Sequence, residues 1–287
     1  NFPINLSFMG LSAAFAAGNR AMVKMSENSR HLCQLLIELS PKYFSAEKLQ
    51  FFDETGMVGQ QFSSVPFDHL MFTGSGATGR KVMANAAKNL TPVTLELGGK
   101  SPAVLCPDYD MQKAVERMMF AKQYNAGQIC TNIDYLFVHE SQLEQFIVAA
   151  TEWTKKHVPD IGSKDFTSII DDVSFNRIAT TVEDAKVKGA RVINLTGQSP
   201  DPVMRKYPLT LILDITEDMT IAKQYIHSSD KLHASPVITP YTHSSIVPIN
   251  AFDFSVKDQH SNKGNVTVQT FYSNYLLADV IVNNPTG

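Results

Sequence analysis

A chain of 287 residues with 44% hydrophobic residues can bury a substantial core, enough for one large domain or two ordinary ones. A formal net charge of -3 and a pI near 6.3 offer no basic stripe for a nucleic acid or an anionic membrane surface, so neither is an expected partner. Three cysteines, Cys33, Cys106 and Cys130, are too few for a disulfide framework and point to a reducing compartment, the cytoplasm, where a functional cysteine works as a thiolate.

Residues 2–17 are rich in Leu, Met, Phe and Ala, yet they lack a basic leader and contain Asn5, Ser7 and Ser12. They read as a buried helix opening after Pro3, not as a signal peptide. No run is long and apolar enough to span a bilayer, which takes about 20 residues. Gly18-Asn19 stops the helix, and residues 20–25 read as a short strand. The cluster from Ser26 to Ser29 then caps a helix with Leu32, Leu35, Leu36 and Leu39 at helical spacing. Cys33 falls within it and reads as a buried structural thiol. Another strand is expected at 49–52.

A third strand, His69 to Thr73, runs directly into Gly74-Ser75-Gly76-Ala77-Thr78-Gly79 and then into a helical run from Arg80 to Lys88. The order G-x-G-x-x-G between strand and helix is the context in which small residues let a pyrophosphate approach a helix N-terminus. A tight turn without a ligand gives the same letters. About twenty residues on, Glu96 closes the strand Val93-Thr94-Leu95. An acid there suits a ribose contact in a dinucleotide site. It equally suits a general base for Cys130, which sits in Asn125-Ala126-Gly127-Gln128-Ile129-Cys130 on a loop after a helix. Spacing alone leaves both open.

Between these two residues lie a strand at 102–105 and an amphipathic helix at 111–124, with Ala114, Val115, Met118 and Met119 on one side. Beyond them come a strand at 135–138, a helix capped by Ser141, a helix over about 174–188 stopped by Gly189, and strands at 191–193 and 209–213. Alternating strands and helices argue for an α/β fold. Past about Thr220 only short apolar runs remain, and His227, His233, His243 and His260 match no zinc spacing, so no metal is expected.

Taken together, Phe72-Thr73-Gly74-Ser75, the run Leu90-Thr91-Pro92-Val93-Thr94-Leu95-Glu96-Leu97-Gly98-Gly99-Lys100-Ser101-Pro102, and Asn125-Ala126-Gly127-Gln128-Ile129-Cys130 resemble the aldehyde dehydrogenase superfamily. Asn1-Phe2-Pro3 resembles that family's oxyanion asparagine run, and Lys24-Met25-Ser26-Glu27 its adenosine-ribose site. The Leu90-Thr91-Pro92-Val93 variant, with Asp134-Tyr135 after the cysteine, is most similar to class 3 and coniferyl aldehyde dehydrogenases. The resemblance implies Cys130 as nucleophile, Glu96 as general base and Asn1 as oxyanion donor. It implies Lys24 and Glu27 as ribose contacts, and Gly74, Ser75 and Gly79 as the pyrophosphate turn. The implied cofactor is NAD, favoured by the Glu27 carboxylate, with NADP possible; the implied substrate is a small-molecule aldehyde, aromatic such as coniferyl aldehyde or fatty, and the family is homo-oligomeric.

The implied architecture is a Rossmann-like NAD-binding domain over 1–95, lacking its first strand, an α/β catalytic domain over 96–220, and a divergent segment over 221–287. A missing first strand should leave a neighbouring strand edge unpaired. Where the family carries a Glu-Ile-Phe-Gly-Pro run for the nicotinamide ribose, this chain reads Ile221-Ala222-Lys223-Gln224-Tyr225. Low or absent turnover is therefore expected of the chain.

Overall fold

Parallel strands need a crossover, and in the first half of the chain helices supply it. The computed structural model describes residues 1–54, 58–222 and the strand at 237–241. Helix α1 (Pro3–Ala16) begins where proline's fixed φ favours a first helical turn, and leads into β1 (Ala21–Lys24). Helix α2 (Arg30–Leu39) carries β1 over to β2 (Leu49–Phe52), and the two strands pair in parallel from Ala21↔Leu49 to Lys24↔Phe52. After the short helix α3 (Val58–Phe62) the unit repeats: β3 (Leu70–Gly74), α4 (Gly76–Ala87) and β4 (Val93–Leu97), with β3 and β4 parallel from Leu70↔Val93 to Gly74↔Leu97. Leu11, Met25, Cys33, Leu49 and Phe51 form the core of the first unit, and Leu70, Val82 and Ala86 that of the second.

Two helices differ from the sequence expectation. Helix α1 forms but is not buried: Leu11 alone is enclosed, while Ile4 is 59% exposed and Phe8 and Met9 are each 42% exposed. One stripe of it meets β1, and no layer covers the other side among the described residues. In α2 the inward residue is Cys33, with Leu32 and Leu36 beside it. Leu35 lies about 200° around the helix from Cys33 and points to solvent.

The four strands do not form one sheet. The pairs β1-β2 and β3-β4 stand separately, and each strand has one edge without a strand partner among the described residues.

The second half forms a continuous sheet of order β5-β6-β9-β8-β7. Its elements are β5 (Ser101–Leu105), α5 (Met111–Gln123), β6 (Ile133–Val138), α6 (Leu143–His157), α7 (Asp172–Val187), β7 (Arg191–Asn194), β8 (Thr210–Leu213) and β9 (Val237–Tyr241). Pairing is parallel from β5 through β8, and β7 closes the edge antiparallel to β8. Side chains alternate across a strand, so β8 serves two cores at once. Leu211 and Leu213 join Met119, Leu136 and Phe146 from α5, β6 and α6 on one face. Ile212 joins Phe175, Ile178 and Met219 on the face covered by α7. Every residue of β8 is buried, as a strand enclosed on both faces should be.

β9 has no counterpart in the sequence reading, which placed 221–287 apart from the catalytic α/β unit; its backbone pairs between β6 and β8. The four histidines at 227, 233, 243 and 260 lie outside the described residues. Among the described residues, no helix is long and apolar enough to cross a membrane, and no group of three or more His, Cys, Asp or Glu could hold a metal.

Candidate active site

The chain from β4 to β6 builds the site from two loops at the ends of neighbouring strands. Glu96 stands on the exposed face of β4, whose next residue packs inward. Gly98 and Gly99 then turn the chain into β5, and a Cβ on Gly99 would meet nothing within 4 Å. The second loop begins where α5 ends at Tyr124. Asn125, Ala126 and Gly127 follow with φ of 54°, 52° and 78°. Left-handed backbone costs an alanine about 1–2 kcal/mol, yet Ala126 is only 1% exposed in the core under α7. Packing holds it there, and the loop emerges turned so that Cys130 lies half-buried ahead of β6.

Cys130 and Glu96 meet. The Glu96 carboxylate faces the thiol, and the backbone N–H groups of Thr131 and of Cys130 itself lie against the sulfur. Burial first, and the Glu96 charge second, push the thiol pKa above its ordinary value, with the two N–H groups opposing. At neutral pH the resting sulfur is therefore a thiol with a base already in contact. A carboxylate beside a thiol can act on it as a base.

Asn1 reaches the same loop. Its amide Nδ2 donates to the Gln128 carbonyl at 3.0 Å, and its Oδ1 accepts from Phe2 N–H at 3.0 Å. A primary amide carries two donors, so one contact does not exhaust it.

Several supporting side chains were not singled out by the sequence reading. Gln128 clamps the nucleophile loop: its Nε2 donates to Asn125 O and to Ser168 O at 3.0 Å each, and its Oε1 accepts from Ile170 N–H at 2.9 Å. Asn132 Nδ2 donates to Ala121 O at 3.0 Å, tying the entry of β6 to the end of α5. Lys122 is fully enclosed and donates to Ile133 O at 2.7 Å. Burial lowers its pKa to about 7, with Asp134 opposing and Lys100 adding. Lys100 and Asp134 form a buried ion pair. A charged residue within the otherwise apolar run at 133–138 was the available signal for this group.

The positions matched to a dinucleotide lie at the carboxyl ends of β1 and β3, where ligands bind in open parallel sheets. Lys24 ends β1 and is ion-paired with Glu54. Glu27 is exposed in the 3₁₀ turn Glu27–Ser29, whose N-cap Ser26 accepts from Asn28 N–H at 3.2 Å. Ser75 caps α4 by accepting from Thr78 N–H at 3.1 Å. Gly74 and Gly79 admit no side chain: a Cβ would lie 2.4 Å from Phe72 Cζ and 2.9 Å from Leu97 Cδ2. Gly79 is buried against β4, where the missing side chain allows close helix–strand packing. A capped helix N-terminus after a glycine-ended strand, with an exposed carboxylate after β1, fits an adenine dinucleotide.

Residues 1–228 match the model of the aldehyde dehydrogenase family. The chain belongs to that family. It is 43% identical over 230 residues to a probable coniferyl aldehyde dehydrogenase of Caulobacter vibrioides, a match covering 79% of this chain and 47% of the relative. A coniferyl aldehyde dehydrogenase of a Pseudomonas strain is 41% identical over 79% of this chain and 48% of its own length. The substrate-bound structure of Staphylococcus aureus AldH superposes with a TM-score of 0.75 at 29% identity, covering 85% of this chain and 51% of that one. Betaine aldehyde dehydrogenase from the same organism, solved with NAD+, gives a TM-score of 0.71 at 26% identity over 85% of this chain and 49% of that one. The chain thus spans about half the length of these aldehyde dehydrogenases.

Proposed function

We propose that this chain carries the nucleophilic centre of an NAD(P)-dependent aldehyde oxidation, with Cys130 as nucleophile, Glu96 as general base and Asn1 as oxyanion donor. The observation that carries the reading is the Glu96 carboxylate facing the Cys130 thiol with Asn1 on the same loop. Glu96 takes the thiol proton as the sulfur bonds to the aldehyde carbon, giving a thiohemiacetal. The Asn1 amide and the Cys130 N–H are donors for the developing oxyanion. The nicotinamide, when bound, supplies the hydride acceptor. Glu96, once it has released the thiol proton to solvent, deprotonates a water that attacks the thioester carbonyl, the thiolate leaves, and a carboxylic acid is released.

The substrate reading is an aromatic aldehyde. Phe2 stacks on Tyr124 with centroids 6.3 Å apart and planes at 17°, and Phe120 packs against the same ring at 6.3 Å. Phe120 and Tyr124 remain 64% and 54% exposed beside the nucleophile loop, so they offer flat apolar faces to a planar substrate. The coniferyl aldehyde dehydrogenases among the relatives support the same class. Lys24 and Glu27 would hold the adenosine ribose, and Gly74 with Ser75 the pyrophosphate. A carboxylate at Glu27 repels a 2′-phosphate, so NAD is the preferred form. The cytoplasm is the matching compartment for a catalytic thiol.

A second reading, a nucleotide-binding chain with little turnover, is favoured by one observation: the strands bearing Lys24 and Gly74 belong to separate two-stranded sheets. Misplacement of about 1 Å costs on the order of 10²-fold in rate. Absorbance at 340 nm with NAD and an aromatic or fatty aldehyde tests the first reading, and NADH no greater than from Cys130→Ala would refute it. NAD binding by calorimetry without NADH formation would establish the second.

A further inference from the structure

Strand pairing between the base and nucleophile loops contains an irregularity at one residue. Ser101 pairs with Ile133, but Pro102 pairs with Tyr135, so Asp134 is the extra residue of a bulge in β6. Bulges re-aim side chains and recur beside active sites. Here the bulged residue carries a charge into the protein: Asp134 is buried, and its carboxylate pairs with the ammonium of Lys100, the side chains being 8% and 7% exposed. Lys100 is the last residue before β5 and lies four residues beyond Glu96. Asp134 lies four residues beyond Cys130. Lys122 is the other charge facing this pair, and it holds the preceding carbonyl, Ile133 O.

We propose that Lys100 and Asp134 are positioning residues, their ion pair pinning the β6 bulge and so setting the β5/β6 register that brings Glu96 into contact with Cys130. The inference rests on the base and nucleophile roles given above and adds what holds them together. A buried ion pair is weak evidence for stability, and a register-setting role is the best-attested reason to keep one. Strand register needs such a determinant, because a one-residue slip turns side chains to the opposite face.

The test reads the Glu96–Cys130 contact through thiol reactivity, so it needs neither cofactor nor turnover. In a Cys106→Ser background, the rate of Cys130 alkylation by iodoacetamide is followed across pH with and without Glu96→Gln. With the ion pair intact, losing the carboxylate should lower the thiol pKa, move the alkylation profile to lower pH and raise the rate at pH 7.5. In Lys100→Met/Asp134→Asn, which removes both partners of the ion pair and leaves Lys122 its bond to Ile133 O, the Glu96→Gln effect should fall to roughly half or less of that in the intact protein. Lys100→Arg should retain the full effect. Should the neutral pair not fold, Asp134→Glu, which keeps the charge but lengthens the arm, takes its place with the same expected loss. An undiminished Glu96→Gln effect in the altered background overturns the positioning role alone. No Glu96→Gln effect in the intact protein overturns the base–nucleophile contact, and the positioning role with it.

Discussion

Gln128 is the residue whose loss should most directly loosen the nucleophile loop. Its side chain makes three hydrogen bonds, to Asn125 O, Ser168 O and Ile170 N–H, and Gln128→Ala deletes all of them. Each is worth about 0.5–1.5 kcal/mol net, and the partners lie around Ile169, which is 1% exposed, so water replaces the lost bonds poorly. The sum is about 2–4 kcal/mol. For a chain of this size that lowers Tm by roughly 5–12 °C. Gln128→Glu is the informative companion: it keeps an acceptor for Ile170 N–H but sets a carboxylate against two carbonyl oxygens, so it should do no better than alanine. Scanning calorimetry at fixed pH and protein concentration reads both. A Gln128→Ala Tm within about 2 °C of the parent would refute the clamp.

Other perturbations have equally definite outcomes. Ser75→Ala removes the side-chain cap of α4 and should cost about 1 kcal/mol in urea denaturation, whereas Ser75→Asp should not. Phe146→Ala empties a site of 0% exposure between α5, α6 and the sheet, and should cost about 3–5 kcal/mol. Asp184 is held at a pKa of about 2 by Lys188 and by Thr220 N–H, below its unfolded value of 3.8. Its contribution is present above about pH 4 and is lost as pH falls towards 2, so Asp184→Asn should flatten the acid limb of stability against pH. Lys122 works in the opposite sense. Its folded pKa of about 7 lies below the ordinary 10.5, so the unfolded chain binds the extra proton between these values. Stability should rise with pH across that window, and Lys122→Met should abolish the rise.

Local signals made most elements legible. The strand at 49–52 has the bounds read from its sequence, and the helices at 111–124 and 174–188 differ from α5 and α7 by at most two residues at either end. Cys130 and Glu96, proposed here as nucleophile and base, stood out because each sits in an unusual run beside glycines. Their contact did not, since a contact between residues 34 positions apart depends on how β5 and β6 register. The burial of α1 was misjudged because apolar composition does not say what covers a helix; Ile4, Phe8 and Met9 satisfy the pattern and remain exposed. Gln128, Lys100 and Asp134 escaped because their partners are backbone atoms and charges brought close only by the fold. β9 escaped because five residues without helical or alternating context carry little signal.

The central claim, Cys130 as nucleophile served by Glu96, is tested most directly by acylating the chain with an activated aryl ester and following the adduct by peptide mass spectrometry. The account expects the acyl group on Cys130, released by hydrolysis in the parent and retained in Glu96→Gln with a decay slowed about 10²-fold or more. Acyl groups spread equally over Cys106 and Cys130, or equal decay with and without the Glu96 carboxylate, would contradict it.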